Sequence, residues 1–422
     1  MTLRAFAVAL LLACAASCLA QPAARPSTAP STRPAGRALV LMHYMPWYET
    51  PAVRGRWGAH WTGHEGQHRP DRTGADGLPD LWSHFHPLIG PYDSVDPAAL
   101  ECHLLQMKLA GVDGVIVDWY GIAKAADYPP IHDATRAMFD AAGRFEMRFA
   151  VCYEDRTVKH LLETRELAAD RVAAHLAETF RWMHEHWFGA PHYVRLDGRP
   201  LVLNFGPIHV TDPAAWEGAM TALPTRPRLF ALHHLWRNVR ADGGFTWVHT
   251  DEFRGNGNEG DDAADAAARR RLGETFRRVS DDPRQTIVSA YPGFRDVYAQ
   301  PLPTLDHGGG RVLRDTLAVA LGGDWPVVQL VTWNDYGEGT MIEPTHEFGY
   351  TFLEIVQEAC RRHRRGDLPF TADDLRLPAR LYALRRRGDM PAAKLDAISA
   401  LLRDGKTAEA GRELDALGAP AR

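Results

Sequence analysis

The chain has 422 residues, 45% of them hydrophobic and 24% charged, with a formal net charge of −5. These are ordinary globular values, and the length suits one large α/β domain with an appendage. The mildly acidic balance gives no reason to expect a nucleic-acid or anionic-membrane partner, so the polar chemistry has to be local.

Residues 1–20 read as an export signal peptide, with Arg4 as the positive start and AFAVALLLACAASCLA as an apolar run followed by small residues. Cleavage after Ala20 leaves Gln21 as the new terminus, whereas LLAC ending at Cys14 has the form of a bacterial lipobox, which would tether the protein by a lipid. Both routes stay open. The apolar run is broken by small residues and leads straight into a linker, so no permanent membrane span is expected. The expected location is outside the bacterial cytoplasm: periplasmic, secreted or lipid-anchored. Residues 21–37 are a Pro-rich, extended linker that cannot build a core. Beyond the signal three cysteines remain, Cys102, Cys152 and Cys360, which read as buried structural thiols and form no disulfide framework.

From Ala38 short β-branched or aromatic runs alternate with longer amphipathic ones. The strand candidates are ALVLMHY, GVIVDWY, RFAVCYE, PLVLNFG, RLFALHH, FTWVHTD, TIVSAYP and VVQLVTW. Helical spacing recurs between them, as from Pro97 to Gly111, where Asp96 is a candidate N-cap and Pro97 a first helical residue, and from Ala168 to Trp187. Runs apolar on both faces suit parallel strands covered by helices, and residues 38–366 predict a (β/α)₈ TIM barrel, with a doubly wound open sheet as the competing arrangement. The fifth and sixth units are the weakest, because the segment joining them is too short for a proper helix. Residues 367–422 form a helical C-terminal extension of short segments ending on glycine, and its arginine run reads as solvated helix surface.

In a parallel barrel, functional residues gather where strands end. Those ends carry Tyr44, Trp47 and Tyr48 on the first strand, Asp118, Trp119 and Tyr120 on the second, Tyr153 and Glu154 on the third and Asn204 on the fourth. The sixth contributes His249, the seventh Tyr291, and the eighth Trp333 and Asn334. Rings beside amides, imidazoles and carboxylates suit a sugar, whose C–H faces stack on rings and whose hydroxyls take paired hydrogen bonds. The eighth run opens into VTWNDYGEGTMIEP, where Asp335 and Glu338 are flanked by Gly337 and Gly339. These glycines allow a tight turn that aims both carboxyls into one cleft, where repulsion and desolvation push their pKa values apart. Glycoside hydrolysis is the commonest chemistry built on such a pair. The alternative is that Asp335 caps the turn and Glu338 pairs with an arginine; Glu343 reads as a structural carboxylate taking backbone amides before Pro344.

YMPWY, GPYDSVD (Gly90 to Asp96), MKLAGVDGVIVDWYG (Met107 to Gly121) and WNDYGEGTMIEP (Trp333 to Pro344) together resemble the family 99 glycoside hydrolases and the related family 71/99-like proteins, over Leu39 to about His363. The resemblance implies a (β/α)₈ barrel, no metal or other cofactor, and retaining hydrolysis of α-linked, typically mannose-containing glycans. It puts Asp335 at the base that draws a proton from the sugar's own 2-hydroxyl, and Glu338 at the general acid and then base. Tyr44, Trp119 and Glu154 fall on positions resembling substrate-contacting ones. The chain departs from the family pattern in having Asp for the first of two glutamates and Tyr-Gly between them, which keeps a non-catalytic glycan-binding protein as the second reading. A monomer acting on an oligo- or polysaccharide is expected.

Three other motifs are discounted. HEGQH (His64 to His68) has the spacing of a zinc protease motif, but Gly63, Gly66 and Pro70 speak against the helix that motif needs. GNGNEG (Gly255 to Gly260) has no acidic residue after the next strand to hold a ribose, and HGGG (His307 to Gly310) lacks a nucleophile elbow elsewhere in the chain.

Overall fold

The structure, a computed structural model, describes residues 37–249, 262–298 and 304–418. The signal peptide, all but the last linker residue and the Gly255–Gly260 motif lie outside the described residues. Eight parallel strands form the barrel: β1 (Leu39–Tyr44), β2 (Gly114–Trp119), β3 (Arg148–Tyr153), β4 (Arg199–Asn204), β5 (Arg228–Leu232), β6 (Gly243–Phe245), β7 (Thr286–Ala290) and β8 (Val327–Leu330). β1 pairs with both β2 and β8, setting Leu41 opposite Gly114 and Leu39 opposite Val327. β3 pairs with β4 across Val151 and Val202, so the ring has no free edge and the open-sheet alternative falls away.

The alternation of side chains along each strand divides the core in two. Leu39, Leu41, Ile116, Ala150, Leu201, Leu203, Phe230 and Ile287 fill the barrel interior. Their neighbours Val40, Met42, Val115, Val117, Phe149, Val151, Val202 and Val288 pack outward against helices. Those helices are α1 (Pro97–Leu109), α2 (Tyr128–Arg144), α3 (Arg156–Glu163), α4 (Val172–Met183), α5 (Pro213–Thr221), α6 (Asp262–Val279), α7 (Arg311–Leu321) and α8 (Thr351–His363). Asp96 caps α1 as expected, its side chain accepting from the Ala98 N–H.

The fifth connection, expected to be too short for a proper helix, is a 3₁₀ turn, Trp236–Val239. One strand differs from the sequence expectation: the sixth is the three residues ending at Phe245, and residues 246–249 of the expected aromatic run lie beyond it. An added Cβ on Gly243 would overlap the Gln285 carbonyl and the Phe230 ring, and one on Gly244 would meet Trp236 and Val279. Close packing here selects glycines, which a search for β-branched strand formers passes over.

The extension folds as α9 (Leu377–Arg387), α10 (Ala392–Arg403) and α11 (Thr407–Ala416) and docks on the barrel. Gln106 of α1 donates to the Leu375 carbonyl at 3.4 Å. Arg385 is not solvated surface: its guanidinium holds both oxygens of the buried Glu101 on α1 and also reaches Asp396 at 2.9 Å. Among the described residues no helix is long and apolar enough to cross a membrane.

Candidate active site

After β8 the chain makes a compact excursion from Val331 to Thr345 over the C-terminal mouth of the barrel. Trp333 donates its backbone N–H to the His43 carbonyl at 2.7 Å, fastening the excursion to β1. The Asp335 N–H goes to Thr332 Oγ1 at 2.8 Å, and Asp335 Oδ1 accepts the Glu338 N–H at 3.0 Å. Asp335 thus closes the turn that carries Glu338. The loop after β7 binds the far side: Arg295 N–H donates to the Glu338 carbonyl and Val297 N–H to the Gly337 carbonyl, each at 2.8 Å. His307, from the HGGG motif, donates Nε2–H to the Gly339 carbonyl at 2.7 Å. Gly339 has φ 65°, which favours glycine, whereas Gly337 is required by contact, since an added Cβ would overlap the Tyr298 hydroxyl.

Asp335 and Glu338 line one cleft of about 620 Å³. Of the residues expected to bind substrate, Trp47, Asp118, Tyr120 and Glu154 line it too. His43, His60, Phe205, Trp247 and Tyr298 complete much of the wall; they were absent from the expected set. His43 carried a signal, being the last inward-facing position of β1, two residues on from Leu41. Trp247 and Tyr298 lie in loops beyond β6 and β7, and only tertiary contact brings them in. Trp47 lies flat against His60, ring centres 4.2 Å apart and planes within 6°, a face suited to a sugar's C–H surface.

Six carboxyls line this space, and four of them, Asp335, Glu338, Glu154 and Asp118, act on one another. Burial is the main force raising each of them: Asp335 is pushed up to about 7, and Glu338 well above the ordinary glutamate value, with Asp335 adding repulsion. Glu154 rises to about 7 despite Arg156, whose charge acts the other way, and Asp118 stands well above its usual range, raised further by Glu154 and Asp335. Trp247 Nε1–H donates to Glu338 Oε2 at 3.4 Å. Among the described residues no arginine or lysine forms an ion pair with Asp335 or Glu338, so the alternative of an arginine-locked Glu338 is not what the turn builds.

The remaining expected contacts lie off the cleft wall, and strand parity explains the first three. Tyr44, Trp119 and Tyr153 share the outward register of Met42, Val117 and Val151, so they pack beneath helices. The Tyr44 hydroxyl meets His103 Nδ1 at 3.2 Å, Trp119 Nε1–H donates to His132 at 3.2 Å, and Tyr153 packs between Trp119 and Trp216. Asn204 is turned back to the Tyr153 carbonyl at 2.8 Å. Tyr291 donates to the His249 carbonyl at 3.0 Å, and the His249 ring packs on His233. Tyr48 donates to the Asn334 carbonyl at 2.6 Å, while the Asn334 amide clamps Met45 through both its N–H and its C=O. Trp333 is fully buried beside His103. These residues support the cleft from behind.

Glu343 takes no backbone amides. Its Oε2 accepts the hydroxyls of Tyr92 at 2.8 Å and Tyr336 at 3.0 Å, and its Oε1 lies 3.1 Å from His103 Nε2. Residues 64–68 contain no helix; His68 pairs with Asp80 at 2.7 Å and His64 packs edge-on to Trp82, so the zinc-protease spacing builds no site.

Residues 37–225 match the model of glycosyl hydrolase family 99. A human protein described as glycoprotein endo-α-1,2-mannosidase-like is 25% identical over 333 residues, covering 71% of this chain and 67% of its own length. A mouse glycoprotein endo-α-1,2-mannosidase is 22% identical over 330 residues, covering 71% of this chain and 66% of its own. The solved structure of the family 99 endo-α-mannosidase from Bacteroides thetaiotaomicron shares the fold with a TM-score of 0.57 at 19% identity, over 77% of this chain and 97% of that one. The family model ends before β5, but the similarity to the curated relatives and the barrel itself extend well past it, so the likeness to glycosyl hydrolase family 99 runs over most of the barrel.

Proposed function

We propose that this glycoside hydrolase cleaves α-linked, mannose-containing glycans with retained anomeric configuration, Asp335 acting as base and Glu338 as acid and then base. The observation that carries the reading is the pair itself: a buried and a half-buried carboxyl, three residues apart, facing one ring-lined cleft without a cationic partner among the described residues. In the first step Asp335 takes the proton of the sugar's 2-hydroxyl as that oxygen attacks the anomeric carbon, and Glu338 gives its proton to the departing glycosidic oxygen. In the second, water attacks the same carbon, losing its proton to Glu338, while Asp335 returns the first proton to the 2-oxygen. Two inversions leave the configuration unchanged. The choice of an α-mannoside follows the relatives, whose descriptions name endo-α-mannosidases.

The test is release of reducing ends from α-1,2- and α-1,6-linked mannans and from α-glucans, with the first-formed anomer read by NMR. Glu338→Gln is expected to lower turnover by about 10²–10⁴-fold while oligosaccharide binding stays measurable, because the amide keeps the shape but moves no proton. Binding by the wild type with no reducing ends from any glycan would reject hydrolysis in favour of glycan capture. Export through residues 1–20 is part of the same proposal, and the mass of the mature N-terminus separates cleavage before Gln21 from lipid attachment at Cys14.

A further inference from the structure

The floor of the cleft contains His43, at the end of β1, and Asp118, near the end of β2, both almost wholly excluded from solvent. The His43 ring has no freedom of tautomer. Gln329 on β8 donates its amide N–H to the Thr246 carbonyl at 2.7 Å and to Ser289 Oγ at 2.9 Å, so the amide oxygen is the atom it presents to His43 Nδ1, at 3.4 Å. An amide oxygen only accepts, so Nδ1 carries the proton and Nε2 presents a bare lone pair. No donor among the described residues bonds that Nε2, and Asp118 Oδ2 likewise has no partner among them.

The two groups are complementary. Burial holds the ring neutral, its pKa lowered to about 4, so Nε2 remains an acceptor. Burial, with Glu154 and Asp335 beside it, favours the protonated form of Asp118, whose O–H is a donor. A ligating atom of each lies within 4.8 Å of the other. One oxygen hydrogen-bonded to both, at about 2.8 Å and near the tetrahedral angle, bridges about 4.6 Å. A buried acceptor and a buried donor at that separation are matched by a group that both donates and accepts, as a sugar hydroxyl does.

We propose that His43 and Asp118 together read one substrate hydroxyl that takes no part in the reaction: it donates to His43 Nε2 and accepts from Asp118, making the pair the specificity determinant at the reacting ring. This rests on the α-mannoside reading above. Cys152 Sγ belongs to the same 4.8 Å cluster, so a soft divalent cation is the competing occupant.

The experiment uses the wild type and His43→Phe, which keeps a planar ring without nitrogen, on a methyl α-mannotetraoside series lacking each hydroxyl of the reacting ring in turn, the 2-hydroxyl excepted. One member is expected to lose about 10–100-fold in kcat/KM with the wild type. His43→Phe should lose a similar factor on the parent glycoside and show under about 3-fold further loss on that one member, with the other penalties unchanged. Additive penalties across the series, or wild-type rates in His43→Phe, would overturn the proposal. If the wild type cleaves no α-mannoside, the substrate reading fails separately, and the floor is judged by ¹⁵N NMR of the ligand-free protein. There a ring protonated on Nδ1, identified by its loss in His43→Phe, supports the proposal, and one protonated on Nε2 overturns it. About one zinc ion retained per chain by the wild type and lost in Cys152→Ser would also overturn it, in favour of a cation.

Discussion

Asp335 pairs with no arginine or lysine among the described residues, and one of its carboxylate oxygens accepts the Glu338 N–H. That arrangement ties the base to the backbone of the acid and holds both in a low-dielectric pocket, where the first proton lost makes the second harder to remove. As a base Asp335 must be ionised, so hydrolysis is expected to fall as pH drops through about 7. As an acid Glu338 must keep its proton, so activity falls again above its own raised pKa, and a bell-shaped kcat/KM profile measured from pH 5 to 10 checks both limbs. An acidic limb near pH 4 would contradict the burial of Asp335. Stability follows the opposite sense. A carboxyl whose folded pKa is raised contributes stability at low pH that is lost as pH rises from its unfolded value, about 4, through its folded one. Asp335→Asn removes that loss, and is expected to raise Tm at pH 8 by about 1–3 °C while abolishing turnover.

The excursion after β8 depends on the loops beside it. Gly337 accepts the Val297 N–H, and the Tyr298 side chain then closes over it. In Gly337→Ala the new methyl displaces the flexible end of Tyr298 rather than backbone, so the expected result is about a 10-fold loss of kcat/KM with little change in Tm. Tyr298→Ala should give a similar loss, and the double variant no more than either alone; additive losses would show that the two act separately. Behind the turn, Glu343 anchors Tyr92, Tyr336 and His103 in full burial. Glu343→Leu leaves two buried tyrosine hydroxyls without their acceptor and is expected to cost about 2–5 kcal/mol in denaturant unfolding. The sequence marked this glutamate as structural, which it is, but two of its partners, Tyr92 and His103, lie more than two hundred positions upstream and could not be named from the motif.

The extension is part of the barrel's own core, with Leu375, Leu381, Leu384, Leu395 and Leu402 buried at its contacts. Arg385→Ala strands the Glu101 carboxylate on α1 and is expected to lower stability by about 1–3 kcal/mol without shifting the pH profile of activity. Calorimetry should show one unfolding transition, because extension and barrel share that interface; two would indicate independent units. The barrel was legible in the sequence because eight apolar runs separated by helical spacing admit few parallel arrangements, and the pair Asp335 and Glu338 because glycine-flanked acids after a buried strand stand out locally. The other contents of the cleft were not legible. Trp119 and Tyr153 sit at strand ends like Asp118 and Glu154, yet one step in a two-residue alternation turns them under the helices, and register is decided only when strands pair. Trp247 and Tyr298 reach the cleft from loops with no periodicity to read, and His60 from a single helical turn, Ala59–Thr62. The tautomer of His43 depends on Gln329 of β8, Ser289 of β7 and Thr246 just beyond β6. A chain's local pattern is enough to specify its elements, whereas the face each side chain shows and the partner that orients it are properties of the closed barrel.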